Sequence, residues 1–135
     1  MATTADAVCV ISDANLRFES SSAVGSSLGP IGPWHLSGLT GQMEVLAKGV
    51  PPSLRSVALR HEELAHHWHY GRTLNMHIAL ARPGPRQEVQ VELVIEARSP
   101  KADGMTFSGS YVLIVQGEAT LTLRGQARCR IAGYG

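Results

Sequence analysis

A chain of 135 residues is long enough for one domain with a real core and too short for two ordinary ones. Twelve Lys and Arg against eleven Asp and Glu leave a formal charge of +1, so no strong field exists to gather polyanions, and no nucleic-acid partner is expected. With 44% hydrophobic but only 5% aromatic residues, the core must be built from Val, Leu, Ile, Ala and Gly.

The first residues, Met1-Ala-Thr-Thr-Ala-Asp6, show no basic region followed by an apolar core. No run approaches the roughly 18 apolar residues of a spanning helix. These features predict a cytoplasmic protein without a membrane partner. Cys9 and Cys129 then read as two reduced thiols, which meet only if the first and last strands are neighbours.

Residues 8–19 read as a first strand. Val8, Val10, Ser12, Ala14, Leu16 and Phe18 share one face; Ile11, Asp13, Asn15, Arg17 and Glu19 share the other, with Cys9. Residues 20–33, rich in Ser, Gly and Pro, read as a long loop, either a surface connection or a rim element anchored by Ile31. Residues 34–48 alternate around Gly38 and Gly41, as a long strand bent at its glycines or as a hairpin turning at 39–41. Pro51-Pro52 ends the pairing, because proline has no donor for the ladder.

Residues 53–70 admit two readings. One is a short helix over 53–66 capped by Ser53, closing a barrel end or lying over the outer sheet face. The other is a strand at 55–60, a turn near Glu62-Glu63 and a strand at 65–70. Leu74, Met76, Ile78 and Leu80 then alternate with polar or small residues, and Arg82-Pro-Gly-Pro-Arg86 is a turn.

The last third carries the clearest pattern. Val89, Val91, Leu93, Ile95 and Ala97 form one apolar parity; Met105, Phe107, Gly109, Tyr111, Leu113 and Val115 form the next. Ala119, Leu121, Leu123, Gly125, Ala127, Cys129 and Ile131 form a third. Period two over such lengths means strands with one dry and one wet face. Turns at 99–104 and 116–118 join them as a meander. The expected fold is a single all-β domain over residues 1–135: an antiparallel β-barrel of about seven to eight strands, with a β-sandwich as the alternative. Pairing of the first and last strands would favour closure.

Four of the six histidines, His61, His66, His67 and His69, crowd into a short stretch. On a strand His67 and His69 point the same way, a spacing that can chelate metal. His67-Trp-His69-Tyr-Gly resembles the first motif of the cupins over five residues. Arg72, Thr73 and Leu74 stand where a cupin has its glutamate, and no histidine follows His77, so membership is rejected and no metal or cofactor is expected. Glu62 reads as an ion-pair partner of Arg60 or a nearby lysine. Nucleophile-elbow, Cys-x-x-Cys, zinc-protease and dinucleotide glycine motifs are missing from the sequence. Arg124, Arg128 and Arg130 share an outward face, interleaved with Glu92, Glu96 and Glu118 and without the aromatics of a base-stacking platform.

Small inward residues beside large ones mean either a jigsaw core or room for a ligand. The second case predicts an apolar cavity lined by Trp34, Met43, Met76, Met105, Phe107 and Tyr111 and lidded by residues 20–33. It would hold a small hydrophobic molecule, carried or folded for cofactor-free cyclisation or isomerisation. The alternative is a non-enzymatic structural or interaction module. It would self-assemble, as a homodimer, through outward apolar residues such as Ile11, Leu46, Val94, Val112 and Ile114.

Overall fold

The computed structural model describes residues 5–25, 35–70, 72–100 and 106–132, with 5, 25, 35, 37, 66–70 and 132 described by their backbone. Nine strands build one antiparallel sheet curled into a half-barrel. They are β1 (Ala5–Ser12), β2 (Leu16–Gly25), β3 (His35–Val45), β4 (Val57–Leu59), β5 (Leu64–Tyr70), β6 (Thr73–Arg82), β7 (Val89–Arg98), β8 (Thr106–Gln116) and β9 (Thr120–Ala132). The all-β expectation holds, with nine strands rather than seven to eight and one sheet rather than the two of a sandwich.

The strand order is β4-β3-β2-β1-β9-β8-β7-β6-β5. Two meanders, each contiguous in sequence, are thus joined edge to edge where β1 meets β9. That junction is the shortest of the long ladders, running from Asp6 opposite Ala132 to Val10 opposite Arg128. First and last strands do pair, as closure would require. The free edges fall instead in mid-chain, at β4 and β5, separated by the 3-10 turn His61–Glu63. His61 Nδ1 accepts the backbone N–H of Leu39 at 3.2 Å, tying β3 to that turn across the seam.

The segment read as one strand over 8–19 is a hairpin. Asp13 Oδ1 accepts the backbone N–H groups of Asn15 (2.8 Å) and Leu16 (2.9 Å), an Asx turn that reverses the chain. Partners across this hairpin have opposite numerical parity, Ile11 facing Phe18 and Cys9 facing Ser20. The inward set is therefore Ala7, Cys9 and Ile11 on β1 but Leu16, Phe18, Ser20, Ser22 and Val24 on β2. Cys9 and Ile11 belong to the core, and Val10 is exposed, the reverse of the sequence reading.

Ser20–Gly25 continue β2 rather than starting a loop. Serine runs score as turns because the hydroxyl competes for backbone groups, but here the ladder to β1 and β3 already holds those groups. Ile31 and the rest of the expected lid lie outside the described residues. β3 is the bent strand rather than the hairpin. Gly38 takes φ +61°, a left-handed value that suits glycine. The neighbouring ladder slips between Ser21 and Ala23, a bulge that helps the sheet curl. At Gly41 a Cβ would run into the backbone of Glu19 and Ser20, so only glycine allows the two strands to approach here.

No helix forms over 53–66. The 3-10 turn Pro52–Leu54, the short β4 and the turn His61–Glu63 lead into β5. Two apolar residues at period two, Val57 and Leu59, face the core, and Leu54 is fully buried. That pattern suits a short edge strand better than a helical stripe. The ion pair expected at Glu62 forms at Glu63 instead. Its carboxylate accepts from Arg82 at 2.9 Å and from the Arg60 N–H at 2.9 Å, closing the turn from both sides.

The last three strands follow the sequence reading closely. Val89 to Ala97, Phe107 to Val115 and Leu123 to Ile131 bury the expected parity, with Gly109 and Gly125 half-buried, whereas Ala119 is exposed and Leu121 half-buried. Met105 and the turn residues 101–104 lie outside the described residues.

Candidate functional site

Four of the six residues expected to line a cavity are described: Met43 on β3, Met76 on β6, and Phe107 and Tyr111 on β8. All four are buried within one hydrophobic cluster facing the concave side of the sheet. Trp34 and Met105 lie outside the described residues. The structure thus brings these four together on one interior face, packed among Leu, Ile and Val neighbours.

Tyr111 carries the most defined polar contact of that interior. Its ring crosses Gly125, its partner on β9, and its hydroxyl donates to Asp13 Oδ2 at 2.6 Å. A Cβ on Gly125 would come within 2.6 Å of both the ring and the Asp13 carboxylate, so the contact needs glycine there. Burial, then the Asp13 hydrogen bond and charge, push the Tyr111 phenol far above the ordinary tyrosine value. Burial raises the Asp13 carboxyl, but hydrogen bonds from Tyr111, Asn15 and Leu16 outweigh it and hold the group below its usual value. One carboxylate therefore caps the β1–β2 turn and latches it to β8. This is a structural role, with the phenol's donor already committed.

A hollow lies at the same end of the half-barrel, where β3, β6 and β8 finish and β7 and β9 begin. It measures about 540 Å³. Its walls are three connections: 48–52 after β3, 85–87 before β7, and 117–119 between β8 and β9. Val89, Val115 and Leu121 form the floor, and Val50, Pro52 and Ala119 line the sides. The walls are tied in place: Ser53 Oγ donates to the Pro83 carbonyl at 2.6 Å, and Leu54 is buried beneath the first wall. Arg82 Nη2 donates to the Ala58 carbonyl at 3.3 Å, linking β6 to β4. A preformed concavity of this volume with an apolar floor suits a small molecule.

Lys48, Arg86 and Glu118 are the ionisable groups of this cleft. Arg86 Nε donates to Glu118 at 3.3 Å, while no ion pair to Lys48 occurs among the described residues. Sequence reading gave these segments only as a stop to pairing at Pro51-Pro52, a turn at 82–86 and a link at 116–118. The overlooked signal is strand polarity: in a meander, alternate connections gather at one end, so Pro51-Pro52 and Pro83-Gly-Pro85 must share a rim.

Two other hollows are more polar and open. One of about 260 Å³ involves Arg17, Glu19 and Glu44, and one of about 360 Å³ sits beside Gly41. The histidines do not assemble into a described site. His61 serves the Leu39 N–H, His77 Nε2 lies 4.0 Å from Glu92, and the side chains of His66, His67 and His69 are outside the description. Among the described residues no group of three or more His, Cys, Asp or Glu could hold a metal ion.

The two cysteines correct a further expectation. Cys9 and Cys129 form a disulfide, buried at the β1–β9 junction, rather than two reduced thiols. The cytoplasmic assignment loses the support it took from reduced cysteines. No described helix is long and apolar enough to cross a membrane.

No protein-family model matches this chain, and neither a curated protein nor a solved structure matches it. The half-barrel and its clefts therefore carry the functional argument by themselves.

Proposed function

We propose that the protein binds a small hydrophobic molecule, and that the cleft at the hairpin end is where it binds. The observation that carries this reading is the cleft itself: about 540 Å³, floored by Val89, Val115 and Leu121 and walled by tethered loops. Binding apolar surface there replaces water on Val50, Pro52, Ala119 and Leu121, which the fold leaves half-buried or exposed, worth about 25 cal/mol per Å² removed from water. The apolar walls and tethered loops support a binding protein, and folding of the bound molecule for cofactor-free cyclisation or isomerisation would use the same surface. A buried disulfide suits work in a non-reducing compartment.

The neutral dye N-phenyl-1-naphthylamine tests this. Its fluorescence should rise on binding to the intact protein. Amide shifts in a ¹⁵N NMR titration should cluster at 48–52, 85–89 and 117–121. Ala119→Trp, an exposed position on the wall, fills the cleft and should abolish both effects. Undiminished dye binding by that variant would place the site elsewhere.

Self-association is the second reading. Val94 and Val112 face each other across β7 and β8 on the outer surface, with Ile114 beside them, all half-buried in the single chain. This stripe offers a shared apolar patch to a second copy.

A further inference from the structure

The charges around the cleft are unbalanced in a way that bears on what enters it. Arg86 and Glu118 pair across the rim, both well exposed, and cancel locally. Lys48, on the facing wall, has no such carboxylate among the described residues. The cleft thus presents an apolar floor with one uncompensated ammonium at its edge. Lys48 is exposed and lines the same wall as Val50 and Pro52, so its head stays in water beside apolar lining.

We infer that the ligand is a small amphiphile with a single anionic head, a monocarboxylate with an apolar tail. The tail lies against Leu121, Val50, Pro52 and Ala119, above the buried Val89 and Val115, and the carboxylate meets Lys48 at the rim. This rests on the cleft being the binding site. The tail supplies most of the affinity, because it removes apolar surface from water. The head supplies selectivity, because an ion pair at an exposed rim adds only a modest increment. Glu118 does not oppose a carboxylate strongly, since Arg86 already accompanies it. A cationic head would meet Lys48 unfavourably, and a neutral head would leave its charge unused.

Competition against bound N-phenyl-1-naphthylamine separates the two levels of the argument, with octanoate and 1-octanol as matched competitors. Octanoate should displace the dye at about three- to fivefold lower concentration than 1-octanol, the size expected of an exposed ion pair. Lys48→Met should make the two equal, and Lys48→Glu should reverse their order, with 1-octanol little changed in both. Lys48 is exposed, so neither variant disturbs the core. Equal displacement by the two in the unaltered protein, or selectivity that survives Lys48→Met, overturns the anionic-head inference and leaves the apolar cleft standing. Failure of both compounds to displace a dye that does bind, or failure of the dye to bind, overturns the cleft reading and the inference with it.

Discussion

Cys9 on β1 and Cys129 on β9 stand directly opposite each other and are bonded, 120 residues apart in sequence. They staple the one ladder that joins the N-terminal meander to the C-terminal one. That ladder is short, so the covalent link and the core beneath it hold the half-barrel in one piece. A cross-link between the first and last strands also removes much chain entropy from the unfolded state. Replacing Cys9 and Cys129 by Ser should lower the unfolding free energy by about 2–5 kcal/mol in urea titrations. Thiol titration of the unreduced, denatured protein should find no free thiol. Two free thiols under non-reducing preparation would remove the staple from the account.

Tyr111→Phe deletes the donor that latches the β1–β2 turn to β8 while leaving the ring over Gly125. The expected loss is about 1–2 kcal/mol, the lower part of the range for a hydrogen bond to a charged group, because Asp13 is open to solvent. The pH dependence follows from both partners. The raised Tyr111 phenol contributes stability below about pH 10, where an unfolded tyrosine is protonated, and loses it as pH rises through its folded value. The lowered Asp13 carboxyl contributes above the ordinary aspartate value of 3.8 and loses that contribution as pH falls through its folded value. Urea midpoints of the intact protein should therefore fall at both extremes, and those of Tyr111→Phe should vary less over the same windows.

Ser20 and Ser22 point their hydroxyls inward from β2, each 1% exposed and without a hydrogen-bond partner. An orphaned buried hydroxyl costs about 1–3 kcal/mol of desolvation. Ser20→Ala and Ser22→Ala should each leave stability unchanged or raise it by about 1 kcal/mol, read as a shift in the urea midpoint. A clear loss in either variant would mean that the hydroxyl is satisfied in solution.

The outer stripe of Val94, Val112 and Ile114 predicts a dimer of modest strength. Burying each side chain is worth roughly 1.5–3 kcal/mol, and association consumes much of that. Light scattering after size exclusion should show dimer at about 100 µM, a concentration at which contacts of this strength are populated. Val112→Lys with Ile114→Lys should give a folded monomer. A monomer in the unaltered protein at that concentration removes the second reading.

What the sequence determined by itself is the period of its strands. From Leu74 onward, apolar and polar residues alternate over runs so long that only half-buried strands accommodate them, and β6 to β9 follow that pattern almost residue for residue. Met43, Met76, Phe107 and Tyr111 were legible as inward residues for the same reason. Alternation is a local property, set by the pleat of one strand. Which set of a pair faces inward after a turn depends on the turn's length and register. Only the Asp13 turn decides that Cys9 and Ile11 share the interior with Phe18 and Ser20. Partnership is less local still. The bond between Cys9 and Cys129, the Tyr111–Asp13 latch and the cleft beneath Lys48 each join segments far apart in the chain. No periodicity spans such distances, and only the closing of β1 on β9 brings these residues together.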